Sequence, residues 1–186
     1  ITNSRLDALL MLLLLLVSYF RRSIFKLFKF LGLKGTSLIV VIYALGDLLL
    51  TYFFDPYSPI YAQIDSWLSR RLFFGKMAFE KYPLHLFGQY IYQNGNGDPR
   101  GFVVYYFIDS AYVQALMMFG IIFLLSMLAL LIYLLYRAYS HKYYGLVIAV
   151  LLISFSMAIN HHFWHISYNM SLLALLAVLP QNNVIE

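Results

Sequence analysis

Long apolar runs alternate with short polar segments along most of this chain, and the runs cover residues 5–20, 36–54, 111–136, 143–159 and 166–179. A helix that crosses a bilayer needs about 20 mostly apolar residues, and these runs are too continuous for the alternating strands of a barrel. The last run is short, so its helix is extended back to about His162. The pattern predicts an all-α polytopic membrane protein with about five transmembrane helices.

Two short segments between the predicted spans are basic and contain no acid. Residues 21–34 place Arg22, Lys26 and Lys29 on one helical face, which is typical of a helix at the surface of an anionic leaflet. The other segment, 137–142, forms a basic turn. Because Lys and Arg in short loops mark the cytoplasmic side, both segments and the C-terminus are predicted to be cytoplasmic, and residues 55–110 form an extracytoplasmic loop.

The extracytoplasmic loop contains the main candidate segment. At about 100° per residue, residues 64–82 predict one amphipathic helix. Arg71 lies near the middle of its apolar face, between Trp67 and Gly75, whereas Arg70 lies at the polar edge. An arginine on an apolar face requires an explanation.

Composition supports a membrane protein. The chain is 62% hydrophobic and 11% charged, against about 25% charged in soluble domains, and its mean hydropathy is +0.75. The net charge is +5, and the basic residues flank the apolar spans. They therefore indicate membrane topology and contacts with lipid phosphates, and not nucleic-acid binding. The absence of cysteine excludes disulfides and thiol catalysis. Since the chain starts at Ile1 without an initiator methionine or a signal segment, we expect residues 1–186 to form one membrane domain that is part of a longer protein.

Arg71 and Arg5 are candidate phosphate ligands. A charge near the bilayer centre costs at least about 2.5 kcal/mol, and the planar guanidinium fork matches phosphate oxygens. The alternative for Arg71 is a structural role, either reaching headgroups or pairing with Asp47 or Asp65. Arg5 has the same headgroup alternative.

A histidine cluster follows the fourth predicted span. On a helix that begins near His162, the side chains of His162, His165 and Asn169 share one face and His161 lies beside them. A neutral imidazole at the outer surface can accept a proton from a sugar hydroxyl. Two alternatives stay open: a metal site, which lacks a local carboxylate, and an interfacial anchor together with Trp164.

Two acids and a tyrosine complete the candidates. Asp109 and Tyr112 open the third predicted span, where Asp109 either caps the helix or contributes to a pocket. Asp47 lies inside the second span. Because intramembrane acids usually face a partner or a cavity, we expect an arginine beside it.

Four separated pieces of the chain, in this order, resemble the lipid-linked (Wzy-type) polysaccharide polymerases of bacterial envelopes, which are similar to O-antigen ligases. The chain departs from that pattern at Arg70, where the family has glycine, and at Asn160, where it has an acid. The pieces are Thr2-Asn3-Ser4-Arg5, Leu68-Ser69-Arg70-Arg71-Leu72 with Leu86-Phe87-Gly88, Ile108-Asp109-Ser110-Ala111-Tyr112 with Gly120, and His161-His162 with Tyr168-Asn169.

The resemblance implies a metal-independent glycosyltransferase without a cofactor, at the outer face of the bacterial cytoplasmic membrane. Family members have additional N-terminal spans, so the resemblance also implies that this chain is the C-terminal portion of a longer polymerase. It would pass a saccharide from undecaprenyl pyrophosphate to another lipid-linked repeat unit, building capsular, exo- or O-antigen polysaccharide, with other polysaccharide-assembly membrane proteins as partners. A transporter or flippase of lipid-linked sugars and a non-catalytic scaffold are the alternatives. The implied site comprises His162, His161 and His165 as bases, Arg71, Arg5 and Arg70 at the pyrophosphate, and Asp109, Tyr112, Asn169 and Asp47 in the pocket.

Overall fold

The computed structural model describes residues 12, 15, 16, 19–94 and 106–164, apart from the side chains of Arg21, His162 and Trp164. The helices in this part of the chain are α1 (Arg21–Tyr52), α2 (Pro59–Trp67), α3 (Arg71–Lys81), α4 (Ala111–Gln114), a π-helical turn (Ala115–Phe119), α5 (Ile121–Ser140), α6 (Tyr144–Met157) and a 3₁₀ turn (His161–Trp164).

Helix α1 joins the predicted basic segment to the predicted second span. A kink at Gly32, which has φ 62° and ψ −171°, separates the two parts. Glycine adopts this conformation without the steric cost of a side chain. The Thr36 hydroxyl lies at the kink, where it donates to the Gly32 carbonyl at 2.9 Å.

The single helix predicted over residues 64–82 is wrong, because the structure has two helices there. Helix α2 ends at Trp67, and α3 begins at Arg71 after Ser69 and Arg70, whose φ angles are 57° and 64°. Left-handed residues cannot continue a right-handed helix. Trp67 is 76% exposed and does not share a buried face with Gly75.

The third predicted span is also interrupted. Gly120, with φ 94°, separates the π-helical turn from α5. An irregular segment, residues 85–89, crosses this break. The Ile121 and Ile122 amides donate to the His85 and Leu86 carbonyls at 3.1 and 3.2 Å, and the Gln89 amide donates to the Met118 carbonyl at 3.0 Å. Irregular backbone in a bilayer needs hydrogen-bond partners within the protein, and residues 85–89 supply them at this break. We call residues 85–89 the strap.

The largest core lies between α1, α5 and α6, and its side chains include Val40, Ala44, Leu131, Leu135, Val147 and Val150. Many large apolar side chains face outward. On α5 alone, Ile122, Phe123 and Leu125 are 45%, 38% and 59% exposed. Outward apolar side chains along a helix match a hydrocarbon environment.

Among the described residues, two helices, Arg22–Tyr52 and Ile121–Ser140, are long and apolar enough to cross a membrane, judged by length and composition. Helix α6 is apolar but shorter. The predicted first and fifth spans lie wholly or mostly outside the described residues, so a count of five stays a prediction. Asn94 and Tyr106 exchange backbone hydrogen bonds at the base of the predicted loop around residues 93–101.

Candidate functional site

Three of the predicted site residues, from separate elements, meet at one end of the helix bundle. The Arg71 Nε lies 3.5 Å from one carboxylate oxygen of Asp109, and the His161 Nδ1 lies 3.5 Å from the other. Their side chains are 11%, 20% and 21% exposed. The structure thus brings together Arg71, Asp109 and His161, which we call the Arg–Asp–His cluster.

Asp65 positions Arg71. The Oδ1 of this buried carboxylate accepts the amides of Leu72 and Phe73 at 2.9 and 3.2 Å, so Asp65 caps the N-terminus of α3 across the left-handed turn. Arg71 is the first residue of α3. The alternative in which Arg71 pairs with Asp47 or Asp65 is wrong, because its ion-pair partner is Asp109.

Close packing holds α3 against α1. A Cβ built on the buried Gly75 would lie 2.5 Å from the Thr51 Cγ2, and the Lys76 Nζ donates to the Tyr52 carbonyl at 2.8 Å. The absence of a side chain at Gly75 therefore lets the two helices approach. These contacts hold α3, and with it Arg71, beside the C-terminal end of α1.

Ser110 positions Asp109. Its Oγ accepts the Val113 amide at 3.2 Å, which caps α4, and donates to the Asp47 Oδ2 at 2.5 Å. One prediction is corrected here, because Ser110 and not Asp109 is the helix cap. In the part of the chain that the structure describes, Asp47 accepts from a serine hydroxyl and pairs with no arginine. Asp109 is therefore available to Arg71 and His161.

Tyr112 connects α4 to α6. This side chain is fully buried, and its hydroxyl lies 2.9 Å from the Ser154 carbonyl, to which it donates, and 2.7 Å from the Ser154 Oγ. Because the hydroxyl is hydrogen-bonded to Ser154 inside the bundle, Tyr112 holds α4, which follows Asp109 in the chain, against α6.

His161 lies at the start of the 3₁₀ turn, where its ring makes an edge contact with Phe107 at 4.8 Å between centroids. Phe107 is two residues before Asp109. The side chain of His162, and all of Arg5, His165 and Asn169, lie outside the described part of the structure. Among the described side chains, none form a group of three or more potential metal ligands.

Arg70 occupies a different position from Arg71. It is exposed, and its guanidinium carbon lies 5.1 Å from the centroid of the Phe73 ring. The left-handed conformation at Arg70 (φ 64°) turns the chain into α3. Adjacent arginines thus have distinct surroundings, one partly buried beside Asp109 and one in solvent.

The cluster is a loose arrangement. Both contacts are 3.5 Å, longer than the roughly 2.7–2.9 Å of charge-assisted hydrogen bonds, and the buried Arg71 Nε makes no hydrogen bond to the described residues. Catalytic hydrogen bonds are often long without substrate and tighten in the complex. A carboxylate between an arginine and an imidazole can orient both groups and favour the imidazolium that forms on proton uptake.

Sequence reasoning missed Asp65, Ser110, Phe107 and Ser154 as supports of the site. For Ser110 a signal existed, because serine is as good a helix cap as the preceding aspartate. Asp65 acts across a turn that periodicity does not reveal. Phe107 and Ser154 act through contacts between distant segments, for which a single sequence carries no signal.

Tyr106 lies three residues before Asp109, and its ring centroid is 6.3 Å from that of Phe74 on α3. Burial raises the pKa of its phenol to about 12, and the Tyr82 phenol acts in the same direction. Its hydroxyl is buried and makes no hydrogen bond to the described residues. Tyr106 therefore stays neutral throughout the physiological range.

No known protein family matches the chain, and no curated protein and no solved structure matches it either.

Proposed function

We propose that this protein is a membrane glycosyltransferase that polymerises oligosaccharide repeat units carried on undecaprenyl pyrophosphate, at the outer face of the bacterial cytoplasmic membrane. The observation that supports this most is the Arg–Asp–His cluster. Arg71, Asp109 and His161 each belong to a separate piece of the polymerase-like pattern. Arg71 and His161 both lie within ion-pair distance of the Asp109 carboxylate.

The proposed reaction needs a cation at the leaving group. The acceptor sugar hydroxyl attacks the anomeric carbon of the donor saccharide, the bond from that carbon to the pyrophosphate oxygen breaks, and its electron pair leaves with the pyrophosphate. Arg71 would neutralise the charge that develops there. Its Nε faces Asp109, and the guanidinium carries further N–H donors that would bind phosphate oxygens.

The reaction also releases the proton of the acceptor hydroxyl, and His161 would take it. With the Nδ1 facing Asp109, the tautomer that carries its proton on Nδ1 has its basic nitrogen at Nε2. Asp109 would hold this tautomer and stabilise the imidazolium. His162 and His165, adjacent in the chain, stay candidate bases of the same step.

The membrane supplies the lipid substrate. Exposed apolar side chains on α1 and α5 give the polyprenyl chain a hydrocarbon path to the site, since the cluster lies at the C-terminal end of α1. Five spans, with residues 55–110 outside and the C-terminus inside, are part of the same proposal.

Complementation tests the proposal in cells. Cells that lack the protein would carry variants Arg71→Gln and His161→Gln, with Lys81→Gln on the same helix and the exposed His85→Gln as matched controls. We expect the two site variants to accumulate single lipid-linked repeat units and the two controls to make polymer of normal length. Normal polymer from both site variants would refute the assignment.

Transport of lipid-linked sugars is the second candidate, and the break at Gly120 favours it, because transporters use interrupted helices near their substrates. Here, however, the strap backbone occupies the amides of Ile121 and Ile122 that a substrate would need. The same variants separate the functions. Repeat units that fail to reach the outer surface in Arg71→Gln cells would indicate transport, whereas unpolymerised units at the outer surface support the polymerase.

A further inference from the structure

Two basic segments that are distant in the sequence meet at the end of the bundle opposite to the Arg–Asp–His cluster. The Tyr139 hydroxyl donates to the Phe28 carbonyl at 3.0 Å, and the Phe25 and Tyr144 rings lie 5.8 Å apart. These contacts flank the turn between α5 and α6. The turn therefore packs against the N-terminal part of α1.

This end is positively charged. Arg22, Lys26 and Lys29 have exposed side chains on α1, and Lys142 is exposed in the turn. Neither residues 21–34 nor residues 137–142 contain an acidic residue. We call Arg22, Lys26, Lys29 and Lys142 the basic end.

Exposed apolar side chains lie between these charges. Leu27 is 51% exposed and Phe30 is 87% exposed, beside Lys26 and Lys29. Phe28, in contrast, packs on the core. A surface that mixes lysines with an outward aromatic ring matches the boundary between headgroups and acyl chains better than it matches a soluble polyanion.

The spacing between the two ends matches a bilayer. Phe28 lies at the basic end, and Asp47, further along the same helix, contacts Ser110 beside the cluster. Beyond the kink at Gly32, the regular part of α1 ends at Tyr52 and covers roughly 30 Å at about 1.5 Å per residue, close to the hydrocarbon thickness of about 30 Å. The basic residues of α1 lie before the kink, so this length suits a basic end and a cluster near opposite headgroup layers.

We propose that the basic end binds the headgroups of anionic phospholipids in the leaflet opposite to the cluster. Three of its four basic residues are lysines, whose ammonium groups contact phosphate as point charges, so we expect the site to select negative charge and not a particular headgroup. The turn contributes Lys142, whose φ of 60° directs the chain from α5 into α6. This binding does not depend on the reaction proposed for the cluster.

Lipid titration of the purified full chain in neutral detergent tests the proposal. Short-chain phosphatidylglycerol and phosphatidylcholine are added separately, and the bound lipid is measured by native mass spectrometry. The double variant Lys26→Gln/Lys29→Gln is compared with Lys76→Gln/Lys81→Gln, which removes the same charge from α3 at the other end. Lys26→Arg/Lys29→Arg keeps the charge, and circular dichroism confirms that each variant is folded.

We expect the wild type to prefer phosphatidylglycerol and the Gln pair on α1 to bind it roughly 30-fold more weakly, while the α3 pair and the Arg pair bind as the wild type does. Equal binding of the two lipids, or an unchanged affinity in Lys26→Gln/Lys29→Gln, would overturn the proposal. Inositol hexakisphosphate is the soluble comparison. If it binds the basic end as tightly as phosphatidylglycerol does, the ligand is a soluble polyphosphate and the lipid assignment is wrong.

Discussion

Asp109 is the residue on which the site depends, because it is the one member of the cluster that contacts both of the others. Arg71 and His161 face opposite carboxylate oxygens at the same distance of 3.5 Å. Loss of the negative charge would leave a partly buried arginine without its counter-ion and an imidazole without its orienting group. The carboxylate is thus a positioning residue in the proposed reaction.

Asp109→Asn should lower the polymerisation rate by about 100-fold or more, because an amide does not hold the basic tautomer of His161 or stabilise its protonated form. The protein should still bind the lipid-linked donor, since Arg71 remains. Rates and donor binding measured on purified protein check this, with the exposed Asp55→Asn as control. A rate within twofold of the wild type would remove Asp109 from the mechanism.

Tyr106 gives a pH dependence of stability. Its pKa of about 12 is above the unfolded value near 10, so its stabilising contribution is complete below about pH 10 and is lost as the pH rises towards 12. Tyr106→Phe should therefore lose less stability than the wild type over that interval. Melting temperatures in detergent at a series of alkaline pH values measure the difference, and parallel losses in both proteins would contradict the assignment.

At the scale of elements, two breaks shape the molecule, and the sequence showed neither. Residues 64–82 carry a helical period, yet Ser69 and Arg70 adopt left-handed backbone because Asp65 reaches across to cap α3. Residues 111–136 are continuously apolar, yet the helix breaks at Gly120. Periodicity reports which faces are buried, but it does not report hydrogen bonds between distant segments.

The identity of the cluster residues could be predicted from the sequence. The candidates Arg71, Asp109 and His161 were all identified from residue type and position. Their mutual contacts were not, because the three side chains come from segments separated by many residues. The expected pairing of Arg71 with Asp47 or Asp65 was wrong for that reason. Ser110 shows the limit well: a cap was predicted at this helix, but on the neighbouring residue.

The crossing of the strap and the broken helix makes a sharp stability prediction. A Cβ on Gly120 would lie 2.4 Å from the Leu86 carbonyl oxygen, and the φ of 94° disfavours any side chain. Gly120→Ala should therefore destabilise the protein by at least about 2 kcal/mol. Gly145→Ala, where nothing lies within 4 Å of the new Cβ, should be neutral or stabilising. Melting in detergent compares the two, and equal melting temperatures would mean that the strap does not seal the break.

At the scale of the whole molecule, the account requires the two ends of α1 to lie on opposite sides of one membrane. The chain has no cysteine, so single cysteines report topology without interference. Tyr57→Cys, at a 93% exposed position, should react with a membrane-impermeant maleimide in intact cells, whereas Ser140→Cys should react only after permeabilisation. Labelling of both sites in intact cells would contradict the arrangement.

The most direct test of the central claim is a reaction with defined components. Purified full-length protein in lipid nanodiscs receives an undecaprenyl-pyrophosphate-linked repeat unit, and both the elongated saccharide and the released undecaprenyl pyrophosphate are measured. The account predicts that the wild type forms the two products in equal amounts and that Arg71→Gln and His161→Gln are slower by about 100-fold or more, with Lys81→Gln unaffected. Wild-type rates in both site variants would contradict a catalytic role for the cluster.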